Sequence, residues 1–335
     1  MKRNLVWALL ATVLAFVVQP CVAEVDEVKI ARAVSVAFLP LMVMEHNKLL
    51  EKHAKSAGLG DIKVTWSTYS GGTAINDALL ARNLDFASSG VTPFLILWAR
   101  TQGNLNVRGV AAMNRTPLYL NTRNPNIKSI RDFTDKDRIA VLAPKSALQA
   151  ILVQMAAAQT FGAENYAKLD PITVGLPLPD ALATLLSGAA GITADFTVPP
   201  FSYQERETPG VHTVLTSNDI LGGTATYAVT YTTNKFREEN PKTYAAFAAA
   251  LREAIDQINA NRKAAGEIYL AVSKQKATAA ELSKLLSDPE ITYELTPRNL
   301  MKYADFMHKV GIMKVRPNSW KDLFFPGDVH ALDGS

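Results

Sequence analysis

The sequence predicts an α/β protein with two lobes, and three observations lead to this prediction. From Val28 onward, short apolar runs alternate with longer helical runs, at a spacing typical of β–α–β units and parallel sheets. The 335 residues are enough for two domains, each with its own core. The strand–turn–helix order of the first part also repeats in the middle of the chain. Two crossings between the lobes, near residues 113–122 and 213–227, would form a hinge beside a cleft.

The first part of the chain alternates strands and helices regularly. Strands are predicted at 28–36, 62–69 and 85–87, and helices at 40–55, 74–82 and 93–100. Two short Ser/Gly segments, 70–73 (SGGT) and 88–92 (SSGVT), stand directly before the second and third of these helices. We interpret both segments as turns that open a helix at the end of a strand.

The middle of the chain repeats this order, and the last third is mostly helical. Predicted strands cover 138–142, 172–174 and 192–198, and predicted helices cover 146–161 and 180–186. A β-rich run at 225–231 precedes predicted helices at 241–261, 264–273, 279–286 and 298–310. The predicted organisation is a signal peptide at 1–23, the first part of lobe 1 at 24–115, lobe 2 at 116–215, and a return to lobe 1 with C-terminal helices at 216–335.

The N-terminal segment has the features of a secretory signal peptide. Lys2 and Arg3 precede an apolar stretch at 5–18, and the residues before Ala23 fit a cleavage site after that alanine. The apolar stretch is short for a membrane span. Cleavage would remove Cys21, which is the single cysteine of the sequence. We therefore expect an exported, cysteine-free protein in a periplasm-like compartment.

Charge and motifs exclude several classes of function. Without Lys2 and Arg3, the 35 basic residues fall to 33 against 31 acidic ones, a net charge of +2, so nucleic acid is not an expected partner. The five histidines show no zinc-ligand spacing, and the sequence contains no G-x-S-x-G, G-x-G-x-x-G or P-loop motif. We predict no catalytic set, no metal and no cofactor.

The predicted helix starts offer a different kind of chemistry. A helix start presents free N–H groups, and the helix dipole there favours negative charge. Such starts are predicted after Ser70, after Ser89 and at Ser146, each at the end of a strand. Because ligands of open α/β sheets bind at the carboxyl ends of strands, these turns from two lobes would converge on one site.

An ordered set of motifs resembles a known family. The motifs lie at 35–40 (SVAFLP), 71–79 (GGTAINDAL), 84–93 (LDFASSGVTP), 130–133 (IRDF), 179–188 (PDALATLLSG), 199–201 (PPF) and 236–241 (FREENP). Together they are similar to the periplasmic substrate-binding proteins of nitrate/sulfonate/taurine ABC importers. The resemblance implies the two-lobed type II periplasmic binding protein fold, with parallel or mixed sheets, flanking helices and a two-crossover hinge.

The resemblance also implies a function and a set of ligand contacts. The expected protein is a monomer that captures a small organic anion, such as an alkanesulfonate or taurine, and delivers it to an ABC permease with its cytoplasmic ATPase. Family contacts map to Phe38, Pro40, Ser70, Gly71, Gly72, Ser89, Gly90, Val91, Asn114, Ser146, Phe196 and Pro199. The family's acidic residue before the proline is Val198 here.

Three alternatives stay open at this point. The ligand could be an aromatic or heterocyclic solute such as a thiamine-precursor pyrimidine, stacked on Phe38, Trp66, Tyr69, Trp98 or Phe196. The pyrimidine-forming enzymes of this fold type use a pocket histidine and a cysteine-rich segment, and the mature chain would have no cysteine. The protein could also present its ligand to a membrane sensor.

Overall fold

The computed structural model describes residues 23–33, 35–188, 191–274 and 277–335. Residues 1–22, which hold nearly all of the expected signal peptide, lie outside the described residues. The strands are β1 (Glu27–Arg32), β2 (Lys63–Thr68), β3 (Ala87–Gly90), β4 (Arg108–Ala112), β5 (Asn114–Arg115), β6 (Tyr119–Thr122), β7 (Ile139–Val141), β8 (Thr173–Gly175), β9 (Ala194–Thr197), β10 (His212–Thr216), β11 (Ala228–Thr232) and β12 (Thr292–Tyr293).

The helices follow the strands in the order that the sequence predicts, with additional short ones. They are α1 (Leu39–His46), α2 (Leu49–Ser56), α3 (Gly72–Leu80), α4 (Val91–Arg100), α5 (Leu148–Phe161), α6 (Leu178–Ser187), α7 (Phe201–Arg206), α8 (Ser217–Leu221), α9 (Asn234–Glu239), α10 (Pro241–Ala260), α11 (Arg262–Ser273), α12 (Ala279–Leu286) and α13 (Leu300–Lys309). Among the described residues, no helix combines the length and apolar character needed to span a membrane.

The sheet of lobe 1 is mixed. Strands β1 and β2 pair in parallel, and Ile30 of β1 forms a parallel bridge to Phe86, just before β3. Strand β11 lies between β3 and β4 and is antiparallel to both. The strand order is therefore β2-β1-β3-β11-β4, and β11 reaches this sheet only after the chain has passed through the other lobe.

Lobe 2 repeats this arrangement in the order β8-β7-β9-β6-β10. Strand β7 is parallel to β8 and β9, whereas β6, which arrives from lobe 1, is antiparallel to β9 and β10. Each sheet thus receives one antiparallel strand from the crossing chain. The two crossing segments lie side by side, because Arg115 bridges to Thr226 and the Tyr227 amide donates to the Asn114 carbonyl at 3.2 Å. This arrangement confirms the predicted two-lobed fold with a two-crossover hinge.

Two predicted local structures are wrong. The segment at Ser88–Gly90 is part of strand β3 and not a turn, because its backbone pairs antiparallel with β11 and the Ser88 hydroxyl hydrogen-bonds to the Thr230 hydroxyl at 2.8 Å. The helix predicted over 40–55 is interrupted, because Lys48 adopts a left-handed conformation with φ 51° between α1 and α2.

The C-terminal residues complete lobe 1. Helix α10 packs against α1 and α2. Phe324 and Phe325 are buried, and the Phe324 ring fits against Gly109 so closely that a Cβ at Gly109 would lie 2.4 Å from it. The aromatic C-terminal segment therefore packs onto the body of lobe 1.

Candidate ligand-binding site between the lobes

Two adjoining cavities lie between the lobes. We call the larger one, of about 470 Å³, the large chamber, and the smaller one, of about 270 Å³, the small chamber. Their shared walls come from both lobes: Ser70, Gly71, Gly72, Gly90, Leu142, Pro177 and Tyr227. The large chamber adds Thr73, Ser146 and Gln149, and the small chamber adds Phe38, Tyr69 and Ser89. Together they form one cleft with a constriction near Gly71 and Leu142.

Four helices begin at this cleft, two from each lobe. Helices α3 and α4 begin after Gly71 and Gly90, and helices α5 and α6 begin after Ala147 and Pro177. No side chain of the described residues caps any of the four helix starts. Their N-terminal turns therefore contribute N–H groups and positive dipole ends to the cleft walls.

Glycine is required where α3 and α4 approach each other. A Cβ at Gly72 would lie 2.6 Å from both Cβ and Cγ of Pro93, and 3.1 Å from Cβ of Ser89. Gly71 is less crowded, since its Cβ would first meet Leu142 Cδ2 at 3.4 Å across the cleft. Gly72 is therefore constrained by the close packing of two helix starts, whereas Gly71 is constrained by the proximity of the other lobe.

Ser89 lines the small chamber, but its hydroxyl is engaged inside lobe 1. It donates to the Gly90 carbonyl at 3.0 Å and accepts from the Tyr231 hydroxyl at 3.0 Å. The Tyr231 hydroxyl lies 2.6 Å from Asn76 Oδ1, and the Asn76 amide donates to the Pro93 carbonyl at 2.9 Å. This buried network joins α3, β3, α4 and β11, so Ser89 fixes the shape of the site rather than offering a free hydroxyl.

Ser70 and Ser146 have different surroundings. Ser70 is exposed to both chambers, and its hydroxyl has no hydrogen-bond partner among the described residues. The Ser146 hydroxyl lies 3.5 Å from Thr73 Oγ1, at the border between the lobes. These two hydroxyls, with the helix starts, are the polar groups of the expected ligand set that lie at the cleft.

The walls carry little formal charge. Among the described residues that line the chambers, Asp77 is the one charged side chain, and it is exposed at the large chamber. The small chamber is bounded largely by apolar and aromatic groups, and the Phe38 and Tyr227 rings meet edge to face at 6.3 Å. Burial raises the pKa of the Tyr227 hydroxyl well above its usual range, so this group stays neutral.

Five residues in the expected ligand set lie behind the walls instead of lining either chamber. Pro40 is buried in α1, and Phe196 is fully buried in the sheet of lobe 2. The Val91 amide already donates to the Tyr227 carbonyl at 2.9 Å, and the Asn114 side chain donates to the Ala37 carbonyl. The Pro199 carbonyl accepts from Ser35 at 3.3 Å.

Several wall residues escape prediction from the sequence. Leu142 and Pro177 are ordinary apolar residues at strand and helix ends, and Tyr227 belongs to a segment that reads as a β-rich run. Gln149 carries no motif at all. Leu142 follows the carboxyl end of β7 and Pro177 lies in the turn before α6, whereas Tyr227 directly precedes β11 and Gln149 lies in the first turn of α5. Tyr69 is the one additional wall residue that the aromatic alternative names.

The two lobes touch each other on both sides of the cleft. The Thr92 hydroxyl donates to the Ser146 carbonyl at 2.9 Å, and the Ser35 hydroxyl donates to the Pro199 carbonyl at 3.3 Å. The chambers therefore lie between lobes that are already in contact. Contacts of this kind are made only when the lobes approach, so they belong to the closed arrangement of a hinged protein.

A second polar cluster lies away from the cleft, inside lobe 2. Asp195 on β9 and Glu205 on α7 are both fully buried, and the Asn121 amide donates to Glu205 Oε2 at 2.8 Å. Burial raises the pKa of both carboxyls, and their proximity raises that of Glu205 further, so this pair holds a proton more tightly than free carboxylates do. The described residues contain no group of three or more His, Cys, Asp or Glu side chains that could hold a metal ion.

A hinged pair of α/β lobes, with helix starts converging on the cleft between them, defines the class of periplasmic binding proteins. Comparison with solved structures agrees with this class. An alkanesulfonate-binding protein from Xanthomonas axonopodis pv. citri, solved bound to MOPS, is 17% identical, with a TM-score of 0.66 over 87% of this chain and 95% of that one. The aliphatic sulphonate-binding protein of Escherichia coli is 17% identical, with a TM-score of 0.67 over 93% of this chain and 95% of that one.

The nitrate-binding protein of Synechocystis shares the same fold. It is 15% identical, with a TM-score of 0.66 over 89% of this chain and 84% of that one. A family model described as the NMT1-like family matches residues 22–272, and the chain belongs to that family. No curated protein sequence matches the chain significantly. Family and fold together confirm the resemblance seen in the sequence motifs.

Proposed function

We propose that this chain is a periplasmic solute-binding protein that captures a small organic anion of the alkanesulfonate or taurine type. It would be exported, cleaved after Ala23, and would deliver its ligand as a monomer to an ABC permease with a cytoplasmic ATPase. The observation that carries the proposal is the convergence of four helix starts without side-chain caps on an enclosed cleft. Sulfonate oxygens are acceptors that such N–H groups can bind.

The near absence of charged wall residues agrees with this mode of binding. An anion held by helix dipoles and hydroxyls needs no arginine or lysine, because the low dielectric of a closed cleft strengthens each N–H contact. We propose that the contacts come from Gly71, Gly72 and Gly90 through the backbone, from Ser70 and Ser146 through hydroxyls, and from Phe38 through its ring. Ser89 would fix the shape of the cleft wall through its hydrogen bonds inside lobe 1.

Closure supplies the thermodynamic link between binding and transport. Because Thr92 and Ser35 bridge the lobes only when the cleft is narrow, a ligand that contacts both lobes favours that arrangement. The closed form would then be the species that a permease recognises. Two of the similar structures carry sulfonate-binding names, and one of them contains MOPS, which supports this ligand class as the first to test.

One observation favours a second candidate, an aromatic or heterocyclic ligand such as a thiamine-precursor pyrimidine. Phe38, Tyr69 and Tyr227 all line the small chamber, and no charged residue of the described chain joins them there. Of the other aromatic residues considered for stacking, Trp98 donates to the Asp322 carbonyl and is buried in lobe 1, and Phe196 is sheet core. A flat neutral ring would fit the small chamber without any anionic group.

A thermal-shift screen of the mature protein separates these candidates. The panel is ethanesulfonate, taurine, MOPS, nitrate, bicarbonate, 4-amino-5-hydroxymethyl-2-methylpyrimidine and benzoate. A ligand at one hundred times its dissociation constant adds about 2.7 kcal/mol to the free energy of unfolding, which raises Tm by several degrees. The proposal predicts stabilisation by the sulfonates. Stabilisation by the pyrimidine alone would support the second candidate, and no stabilisation by any of the seven would refute both.

A further inference from the structure

Gln149 is a buried polar side chain with an unmet hydrogen bond at the wall of the large chamber. It is the second residue of α5 and is 2% exposed. Its amide nitrogen is buried and has no hydrogen-bond partner in the described part of the chain, and Gln149 is one of the residues that line the large chamber. An unpaired buried amide lowers stability, so its presence at a cavity wall calls for a partner that the protein itself does not supply.

A second glutamine on the same helix shows what a purely structural glutamine does here. Gln154 is 3% exposed, and its amide nitrogen donates to both carboxylate oxygens of Asp170, at 3.1 and 2.9 Å. Gln154 therefore satisfies its nitrogen within lobe 2, while its carbonyl oxygen has no partner among the described residues. Gln149 has no such acceptor, although an apolar residue of the same length would fill its position without an unmet donor.

We infer that the Gln149 amide donates a hydrogen bond to an acceptor oxygen of the ligand in the large chamber. The start of α5, one residue before it, presents free N–H groups to the same space, so both features favour an oxygen-bearing group. Asp77 lines the same chamber and is exposed. The inference rests on the proposed function and assigns a ligand-orienting residue that the sequence motifs do not indicate.

The first test needs no ligand and measures Tm and urea midpoint of the ligand-free protein. Gln149→Met removes the unmet donor at similar length. Gln159→Met makes the same change at an exposed position of α5 whose amide is paired, because it donates to the Ile220 carbonyl at 2.8 Å. The inference predicts a higher Tm than wild type for Gln149→Met, and a lower Tm than wild type for Gln159→Met, which loses a satisfied hydrogen bond. A lower Tm for Gln149→Met would show that the amide stabilises the fold and would overturn the inference.

The second test uses calorimetric titration with ethanesulfonate and MOPS. Gln149→Met should weaken binding about tenfold, which corresponds to one lost hydrogen bond to a charged group. Gln149→Glu should weaken it further, because a carboxylate repels the anion, and Gln159→Met should bind like wild type. Unchanged affinity in Gln149→Glu would overturn the inference. If wild type binds neither sulfonate, the proposed ligand class fails, and the sign of the Tm change then decides the inference alone.

Discussion

Replacement by alanine should destabilise the fold at Gly72 but not at the neighbouring Gly71. The Cβ of Gly72→Ala would lie about 1 Å inside normal contact distance of Pro93, at 2.6 Å from two ring atoms. Because Pro93 is held in α4, one helix start must shift, and such overpacking costs about 1–3 kcal/mol. Less freedom in the unfolded chain offsets about 0.4–1 kcal/mol of this cost. We expect a net loss of about 1–2 kcal/mol.

The Gly71→Ala variant is the matched control. Gly71 has extended backbone at φ −176°, and its new Cβ would meet only Leu142 Cδ2, at 3.4 Å on the other lobe. Its free energy of unfolding should stay within about 0.5 kcal/mol of wild type, whereas ligand affinity falls because the closed cleft narrows. Urea unfolding of the ligand-free proteins measures the first quantity, and calorimetry measures the second. Equal unfolding free energies for both variants would refute the assigned packing of α3 against α4.

Three further perturbations test the lobe contacts, the buried acids and the N-terminus. Thr92→Val removes the hydrogen bond to Ser146 and should shift the ligand-free protein toward the open form, with a larger radius of gyration in X-ray scattering; an unchanged radius would contradict the closure model. Burial raises the folded-state pKa of Asp195 and Glu205. Their contribution to the free energy of unfolding should therefore be fully present below the ordinary carboxyl pKa. It should be lost as pH rises through the raised values, by up to about 1.4 kcal/mol per pH unit for each proton. The D195N/E205Q variant should lose this slope in melts from pH 4 to 9, and an unaltered slope would contradict the assignment. Glu24→Gln should cost about 1 kcal/mol in urea unfolding, because the Glu24 carboxylate accepts from the first turn of α10 at 2.7–2.9 Å, and wild-type stability would show that this cap is dispensable.

Apolar periodicity predicts most of this fold, because buried helices and strands leave a regular pattern of apolar residues in a single sequence. Some of the strands that escape prediction are short and rich in polar residues. Strand β6 (Tyr119–Thr122) contains Asn121 and Thr122, whose side chains bond mainly to groups far away in the sequence, among them Glu205, Thr213 and the Thr193 carbonyl. The strand character of Ser88 likewise depends on Thr230, so no local pattern could reveal it.

The candidate site is likewise predictable from the sequence only where a local pattern marks it. Helix starts can be predicted because Ser, Gly and Pro mark them locally, which is why Ser70, Gly71 and Gly90 line the cleft as expected. Whether a residue faces the chamber depends on tertiary packing, as the buried positions of Asn114 and Phe196 show. Gln149 has no distinctive neighbours in the sequence, and only the three-dimensional structure exposes its unmet hydrogen bond.

The central claim is that one small molecule binds between the lobes, and a blocking variant tests it most directly. Ser70 is exposed to both chambers, so Ser70→Trp would place an indole in the cleft without disturbing a core. Calorimetric titration with the compound that raises Tm most in the seven-compound screen should give one site per chain for wild type. The same titration of Ser70→Trp, at unchanged ligand-free Tm, should show no binding. Wild-type affinity in that variant would place the ligand elsewhere and contradict the account.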